Sequence, residues 1–385
     1  MRKNILMKRD YTSKEIKKLF ISEIQRHNST LLINKNNLIF NANYLFKICK
    51  NTVIAPVIKS DAYGLGAIEI TKIYINLGLK NFFVGNTSEA IKIRKKFKNI
   101  NIFILNCGMI FDFNLLKKYK LTPVINNINQ LTNWPLSSKN KIPCMIHIDT
   151  GMNRLGLNTK DFISSENKIK LKKMNIKYLI SHLACADDEK NSFNTIQLLK
   201  LKKMQIYLKH IKGINIKTSI SNSSGIWLGK KYFLDLVRPG AAFLGINPSI
   251  NNPNPLKNVI CLYTYILQTR IAYKNTTVGY GASYKLHKKS KLATISIGYS
   301  NGFSRLLSNV GSVFINDKEA KIVGKISMDL SVVDITDFKE SNIKVGDPVE
   351  IFGENRSIDD FATLNNTIAY EIICQVGKYS KKIIY

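Results

Sequence analysis

The stretch VIAPVIKSDAYGLG, Val53–Gly66, holds the pattern from which the fold follows. It opens with an unbroken apolar run, Val53–Ile58, and turns polar at Lys59. A short β-branched run that ends at a glycine-containing turn predicts a buried strand. The next residues, Ala67–Leu77, carry apolar side chains at helical spacing, so a helix is expected to follow. A strand followed by a helix is the repeating unit of α/β proteins.

The same unit recurs along the first two thirds of the chain, and a long helix is also predicted at Ser192–Ile211. Eight such strands are the number that a closed (β/α)8 barrel requires. We therefore expect a TIM-type (β/α)8 barrel over residues 29–250. Its strands are predicted at Val53–Ile58, Asn81–Val84, Asn101–Leu105, Thr122–Ile125, Cys144–Ile148, Tyr178–Ser181, Thr218–Ser221 and Leu234–Val237.

The texture changes after a Pro- and Asn-rich stretch, Asn247–Asn258, where strands with turn signals replace the helical pattern. This predicts a C-terminal mostly-β domain over residues 251–385. Residues 1–28 are expected to form an N-terminal helical extension, which the capping box Thr12–Glu15 begins. The strands of the second domain are predicted at Ile260–Tyr273, Ala293–Ile297, Ser312–Ile315 and Val349–Phe352.

The composition is strongly basic, with 58 Lys and Arg against 26 Asp and Glu. Such a charge alone would suggest nucleic acid or an anionic membrane as a partner. The lysines are scattered, without an arginine-rich arm or an aromatic stripe, so we interpret them as a solvated face and expect neither partner. No apolar run is long enough to cross a membrane, and the start of the chain lacks the apolar core of a signal peptide, which favours a cytoplasmic protein. Six isolated cysteines suggest neither a disulfide framework nor a metal site.

Reactive residue types gather where the predicted strands end, which is where barrels of this kind build their active sites. Lys59 follows the first strand, and a partly desolvated lysine amine there would be a nucleophile for aldehydes. An ordinary exposed lysine is the alternative in such a lysine-rich chain. Phosphate sites in barrels lie after strands seven and eight, where Asn222–Gly225 and Pro239–Ala241 offer hydroxyl groups and close-approaching backbone N–H groups. Aldehyde capture beside a phosphate cradle implies pyridoxal phosphate as cofactor.

At this point the chain resembles the alanine racemase family. The resemblance is carried by blocks in the family order, which together span about Leu31–Tyr385. A single block would be a weak signal, whereas six blocks in the family order are not expected by chance. The blocks are Val57–Gly66, Asp149–Gly156, Val237–Gly245, Tyr280–Tyr284, Ile297–Phe303 and Ser327–Asp329.

The resemblance implies two catalytic residues, because inversion needs a base on each face of the substrate carbon. Lys59 would hold the cofactor and exchange the Cα proton on one face, and Tyr280 of the partner subunit would do so on the other. A phenol is a weak base at neutral pH, so the cation of Arg154 would favour its anion. Arg238 would face the pyridine nitrogen and keep it unprotonated, which disfavours transamination.

The resemblance also implies the remaining ligands. His182 would lie beside the cofactor ring, and Asn222 also belongs to the expected cofactor site. Tyr299 and Met328 would contact the substrate together with Arg154. The phosphate ligands would be Tyr63, Ser223, Gly240, Ala241 and Tyr370. A homodimer with shared sites, alanine as substrate, and D-alanine supply for peptidoglycan follow as expectations.

Two residues depart from the family pattern. His147 stands where many members have a lysine, carbamylated in several, and an imidazole cannot form that carbamate. Ser219 stands where some relatives have a histidine near the cofactor. Other readings stay open: a decarboxylase of the same architecture, a racemase of another small amino acid such as serine, or a pyridoxal-phosphate-binding homeostasis protein without racemase activity.

Overall fold

The computed structural model describes residues 21–136, 142–339 and 343–385. Its described residues divide into two compact units. The parallel-sheet unit comprises residues 41–243 and 247–256. The β-rich unit comprises the described residues up to residue 40, residues 244–246 and the described residues of 257–385. The capping box predicted at Thr12–Glu15 lies outside the described residues, whereas residues 21–26 are helical and bury Ile24.

The parallel-sheet unit contains a curled six-stranded parallel sheet in the order β3-β4-β5-β6-β7-β8 and a separate parallel pair, β2 with β9. All eight overlap the runs predicted from sequence, although several are shorter. This confirms the α/β class. The eight parallel strands are β2 Val53–Ile54, β3 Asn81–Val84, β4 Asn101–Ile104, β5 Thr122–Ile125, β6 Pro143–His147, β7 Asn175–Ile180, β8 Lys217–Ser219 and β9 Leu236–Val237, and they are preceded by β1 Thr30–Ile33, which belongs to the β-rich unit.

Helices follow most of the parallel strands, and asparagine caps several of them. Asn86, Asn127 and Asn222 each accept a hydrogen bond from the backbone N–H three residues on, which satisfies a donor that the helix itself cannot pair. The helices are α1 Lys35–Ile48, α2 Ala67–Asn76, α3 Thr87–Lys96, α4 Phe113–Lys118, α5 Ile128–Thr132, α6 Thr159–Ile163, α7 Ser165–Lys173, α8 Phe193–Lys212 and α9 Ser223–Trp227, with 3-10 turns at Lys230–Tyr232 and Ala241–Leu244.

The core of the parallel-sheet unit is an apolar layer built from strand residues. Six of its members lie in β3 to β7 and β9, and Ala55 directly follows β2. The rings of Phe83 and Phe103 pack with centroids 4.9 Å apart. Because side chains alternate along a strand, the residue two positions further on points to the same side. The layer consists of Ala55, Phe83, Phe103, Val124, Met145, Ile180 and Leu236.

The β-rich unit is built on an eight-stranded, mainly antiparallel sheet. β1 pairs with β10 and β18, which the expected boundary at residues 28/29 did not anticipate. The C-terminal part is not wholly β, since two helices precede its last strand. The elements are β10 Ile260–Ala272, β11 Thr277–Val278, β12 Tyr284–Lys285, β13 Ser290–Ile295, β14 Ser312–Ile315, β15 Lys318–Lys321, β16 Ser331–Asp334, β17 Pro348–Phe352, α10 Ile358–Leu364, α11 Ala369–Tyr379 and β18 Lys381–Ile384, with 3-10 turns at Tyr280–Ala282, Tyr299–Asn301 and Arg305–Leu307.

No helix in the described part of the chain is long and apolar enough to span a bilayer. All six cysteines are free thiols.

Candidate active site

A polar layer lies one step above the apolar layer of the parallel-sheet unit. Two positions beyond Val124, Met145, Ile180 and Leu236 the chain has Asn126, His147, His182 and Arg238. Because side chains alternate along a strand, these four side chains point to the same side of the sheet as the apolar layer. Lys59 lies four positions after Ala55, which is also a member of the apolar layer. The sequence pattern thus collects the reactive groups at the carboxyl ends of the strands.

The backbone after Ile58 makes a left-handed turn, Lys59–Tyr63. Four non-glycine residues, Ser60–Tyr63, have φ between 53° and 56°, a conformation that costs about 1–2 kcal/mol per residue. The carboxylate of Glu89 helps to offset this cost, because it accepts from the Ser60 N–H at 3.0 Å and the Gly85 N–H at 2.7 Å. Strain of this kind is characteristic of functional sites.

Arg238 is the most buried cation of the group, with 4% of its surface exposed. Its guanidinium donates to the carbonyl oxygens of Ser181 at 2.5 Å and Ile220 at 3.3 Å, and to the Ser219 hydroxyl. Burial lowers the pKa of Arg238 to about 10, so it is charged at neutral pH. Within the described residues no carboxylate pairs with it. An unpaired buried charge is costly, so this side chain suits a ligand that supplies an acceptor.

Both histidines of the layer are neutral near pH 7. Burial, and then the cations of Arg238, Arg154 and Lys59, lower the pKa of His182 to about 3. Burial and the charge of Arg238 likewise lower the pKa of His147 to about 4. Nδ1 of His182 lies 3.5 Å from Nη2 of Arg238, where a neutral ring accepts. His182 therefore adds a flat neutral surface beside the cation.

A tight cradle forms after β8 and β9. The Ser223 hydroxyl accepts from the N–H groups of Gly240 and Ala242, both at 3.1 Å, and retains one hydrogen to donate. A Cβ on Gly240 would lie only 2.1 Å from the Tyr63 hydroxyl oxygen, so only glycine fits. Asn222 is used as the cap of α9, since its Oδ1 accepts from the Gly225 N–H at 2.8 Å. Hydroxyl and N–H donors at a helix start suit a phosphate.

Arg154 lies on an exposed loop that follows β6. The Asp149 carboxylate folds this loop by accepting from the N–H groups of Gly151 at 2.9 Å and Asn153 at 3.1 Å. Among the residues that the structure describes, the Arg154 side chain makes no hydrogen bond or ion pair. Its charge nonetheless acts on both His147 and His182.

The other predicted residues lie in the β-rich unit and form a second group by themselves. Tyr280, Tyr299 and Met328 are 70%, 45% and 56% exposed. The segments that carry Tyr299 and Met328 interlock, because the N–H groups of Tyr299 and Ser300 donate to the carbonyls of Ser327 at 3.1 Å and Met328 at 2.9 Å. Tyr370 is the second residue of α11, and Gly302, close to Tyr299, packs against the same helix at Gln375 and Val376.

Sequence reasoning did not name two residues that shape the site. Glu89 holds the left-handed turn, and the side chain of Asn126 contacts His147 with Oδ1 and Nδ1 2.9 Å apart. Asn126 directly follows β5, so the rule about strand ends could have found it. The only sequence signal for Glu89 was its place in the first turn of a helix, where acidic residues are generally favourable.

The arrangement fits pyridoxal phosphate. Lys59 can form a Schiff base with the aldehyde, Arg238 can donate to the ring nitrogen, and the donors around Ser223, Gly240 and Tyr63 can hold the phosphate. The buried unpaired arginine and the cradle that a Cβ would fill are the observations behind this fit. Fold and site together define a pyridoxal-phosphate enzyme that joins a parallel-sheet unit to a β-rich one.

Comparison with known proteins identifies the family. Residues 33–248 match the alanine racemase N-terminal domain and residues 259–384 the C-terminal domain. Alanine racemase from Rickettsia bellii is 41% identical over 87% of this chain and 82% of its own length, and that from Rickettsia canadensis 39% over 92% and 98%. The crystal structure of alanine racemase from Bartonella henselae with covalently bound pyridoxal phosphate superposes with a TM-score of 0.87 and 34% identity, covering 93% of this chain and 99% of that one. The chain belongs to the alanine racemase family.

Proposed function

We propose that this protein interconverts L-alanine and D-alanine with pyridoxal phosphate held by Lys59. The observation that supports this most strongly is the placement of Lys59 at a strand end of the same unit as the buried Arg238 and the Tyr63–Gly240 cradle. Family membership over nearly the whole chain supports the choice of alanine. Discrimination against larger side chains is modest, about 1–3 kcal/mol per methylene, so serine is a secondary substrate to test.

The proposed mechanism divides the work between the two groups of residues. When bound, pyridoxal phosphate draws electrons from the substrate Cα and makes its hydrogen acidic. Lys59 removes or returns that proton on one face, and Tyr280 does so on the other. Arg154 stabilises the Tyr280 anion, and the Met328 N–H binds the substrate carboxylate beside Tyr299.

The remaining residues hold and tune the cofactor. Arg238 donates to the ring nitrogen and keeps it unprotonated, and neutral His182 packs beside the ring. Ser223, Tyr63, Tyr370 and the backbone of Gly240 and Ala241 hold the phosphate, while Asn222 caps the helix that positions Ser223.

We further propose that the eight parallel strands close into a complete barrel. The Ile58 N–H donates to the Phe83 carbonyl at 2.8 Å, and the Arg238 N–H donates to the Ser221 carbonyl at 2.9 Å. These bonds link the β2–β9 pair to both ends of the six-stranded sheet, which favours closure. Residues 1–28 would then be an extension of this cytoplasmic enzyme, which supplies D-alanine for peptidoglycan.

We also propose a homodimer in which each protomer lends Tyr280 to its partner. Support comes from the 70% exposure of Tyr280, a large aromatic side chain that a partner surface would cover. Mixing Lys59→Ala with Tyr280→Phe protein after partial unfolding should restore part of the activity, because one site of each mixed dimer would be intact. Absence of recovery in confirmed mixed dimers would contradict sharing.

The function is tested by following circular dichroism of L-alanine and, separately, D-alanine with the purified protein and pyridoxal phosphate. We expect both to reach the same racemic end point, with visible absorbance from bound cofactor. Bound cofactor without racemisation of alanine would redirect the assignment to serine, to decarboxylation or to a cofactor-binding protein. A protein that binds no pyridoxal phosphate would contradict the proposal altogether.

A further inference from the structure

The turn that carries Lys59 is held by a helix of the next strand–helix unit, a contact to which the proposed mechanism gives no role. Glu89 is the third residue of α3. Its carboxylate accepts from the Ser60 N–H with Oε1 at 3.0 Å and from the Gly85 N–H with Oε2 at 2.7 Å. Each oxygen binds a different segment, so Glu89 ties the turn at Lys59 to the residue that follows β3.

The bond to Ser60 fixes the backbone on one side of the Lys59 Cα. The Ser60 N–H belongs to the peptide plane that follows Lys59, so an acceptor at this N–H sets the rotation of that plane. The plane that precedes Lys59 is fixed separately, because the Ala62 N–H donates to the Ile58 carbonyl at 3.0 Å. With both planes held, the direction of the Lys59 Cα–Cβ bond is determined.

Gly85 connects the same carboxylate to the Lys59 side chain. A Cβ on Gly85 would lie 3.2 Å from Oε2 of Glu89 and 3.3 Å from the Lys59 Cβ, both shorter than ordinary contacts. Glycine therefore allows the carboxylate and the first carbon of the lysine side chain to approach the same Cα. A shift of this backbone would reach the Lys59 side chain by direct contact.

The turn depends on such support because it is strained. Residues Ser60–Tyr63 have φ between 53° and 56°, a region that residues with a Cβ avoid. Lys92, three residues after Glu89 on α3, also reaches the turn, since its Nζ lies 3.4 Å from Oδ1 of Asp61. The two side chains of that pair are 62% and 41% exposed, so solvent weakens their attraction. Glu89 is therefore the stronger of the two contacts.

We propose that Glu89 is a positioning residue for Lys59, which holds the Lys59–Ser60 peptide plane so that the lysine amine meets the cofactor aldehyde and then one face of the substrate Cα. This inference rests on the proposed function, in which Lys59 is both attachment point and base. Attachment joins the amine nitrogen to the aldehyde carbon and releases water. Misplacement of a reacting group by about 1 Å can cost about 100-fold in rate, so both steps depend on the direction of the side chain.

Two variants separate the geometry of Glu89 from its charge. Glu89→Gln removes the charge but keeps one oxygen that can accept, whereas Glu89→Ala removes both acceptors. Visible absorbance after pyridoxal phosphate is added to the cofactor-free protein measures the rate of attachment. We expect this rate to fall by about 3- to 10-fold in the Gln variant and by about 10- to 100-fold in the Ala variant. Equal losses would mean that Glu89 acts through its charge, and would overturn the proposal.

The chain offers one matched control and one comparison. Glu69 is the third residue of α2, as Glu89 is of α3, but it is exposed and makes no hydrogen bond or ion pair within the described residues. Lys92→Gln removes the other contact between α3 and the turn. We expect Glu69→Ala and Lys92→Gln to stay within about twofold of wild type. A loss in either as large as that in Glu89→Gln would contradict a specific role for Glu89.

The substrate step supplies a readout that a general loss of stability would not change. In fully loaded Tyr280→Phe protein, Lys59 should exchange the Cα hydrogen of one enantiomer with solvent deuterium, and adding Glu89→Ala should slow this exchange by about 10- to 100-fold. In Glu89→Ala with Tyr280 intact, exchange of the opposite enantiomer should fall by less than about threefold. Equal slowing on both faces would show that Glu89 supports only the fold, and would overturn the proposal.

Hydrogen–deuterium exchange of the cofactor-free full chain tests the contact without any activity. The amides of Ser60 and Gly85 should exchange about 10-fold faster in Glu89→Ala than in wild type, and Glu69→Ala should leave them unchanged. If Glu89→Ala does not fold, Glu89→Gln takes its place, and at least one of the two amides should lose protection. Unchanged protection of both amides in a folded variant would overturn the proposal. If the wild type fails to racemise alanine, the proposed function fails, while amide exchange and the rate of attachment still test Glu89.

Discussion

The two groups of candidate site residues differ in burial and in hydrogen bonding. In the parallel-sheet unit, Arg238 is 4% exposed and donates to three oxygen acceptors, and His147 and His182 are half-buried beside it, whereas Lys59 and Arg154 are exposed. In the β-rich unit, Tyr280 is 70% exposed and stands on a short turn after Gly279, which has φ of 75°. The hydrogen-bonded surroundings of Arg238 have the features of a preorganised ligand site. The second group presents exposed side chains, which can act on a substrate only once a partner surface or a ligand covers them. The predictions test this difference between the two groups.

The largest effect should come from removing the cofactor lysine. Lys59→Ala deletes both the attachment point and one proposed base, so we expect racemisation to fall by more than about 10⁴-fold with loss of the visible absorbance. Lys50→Ala, at an exposed position of the same unit, is the control. Comparable racemisation by both variants would show that Lys59 is not the site.

The second largest effect should come from removing the proposed base of the β-rich unit, Tyr280. Tyr280→Phe should lower racemisation by about 10²- to 10⁴-fold while the cofactor stays bound. Lys59 would still exchange the Cα hydrogen of one enantiomer with solvent deuterium, with retention of configuration. Tyr273→Phe, also exposed in the β-rich unit, is the control. Loss of exchange on both enantiomers would contradict the assignment of separate faces.

A smaller effect should follow from filling the cradle. Gly240→Ala places a Cβ 2.1 Å from the Tyr63 hydroxyl oxygen and should cost about 1–3 kcal/mol of cofactor binding free energy. Adding Tyr63→Phe removes the closest clashing atom and should relieve part of the strain. Titration with pyridoxal phosphate measures both variants. An unchanged dissociation constant in the single variant would show that the cradle does not hold the cofactor.

The smallest effect concerns pH. In the folded chain the pKa of His147 is about 4 and that of His182 about 3, both below the ordinary 6.5. The unfolded chain therefore binds more protons below pH 6.5, and stability should fall as pH drops towards these folded-state values. Each histidine contributes a slope of up to about 1.4 kcal/mol per pH unit.

Denaturant unfolding of the protein without cofactor across that pH window would measure the slope. The double variant His147→Gln/His182→Gln should flatten it, because it removes both buried imidazoles. Equal slopes in wild type and double variant would mean that these rings are not buried neutral.

Local pattern was enough to predict much of this molecule. Apolar runs bounded by turns predicted the eight parallel strands, and the strand-end rule selected Lys59, His182 and Arg238. The left-handed turn at Ser60–Tyr63 could not be predicted, because ordinary residues avoid that conformation and Glu89 stabilises it from a neighbouring helix. The pairing of β1 with β10 and β18 was also missed, since it joins residues far apart in sequence.

The contacts made by residues that depart from the family pattern could not be predicted from the sequence either. The sequence showed only that Ser219 stands where some relatives have histidine. The structure shows its hydroxyl accepting from Arg238 and donating to the Leu236 carbonyl at 2.6 Å, two contacts that both depend on the neighbouring strand β9 and the residue after it. The sequence also did not predict the fixed orientation of the Asn126 amide, because that orientation depends on the carbonyls of Leu105 and Val124 in two different segments.

The central claim is that one lysine among many, Lys59, holds the cofactor. Borohydride reduction of the protein loaded with pyridoxal phosphate, followed by peptide mass mapping, tests it most directly. We predict a single pyridoxyl label, on the peptide that contains Lys59. A label confined to another lysine, or spread over surface lysines without enrichment at Lys59, would contradict the account.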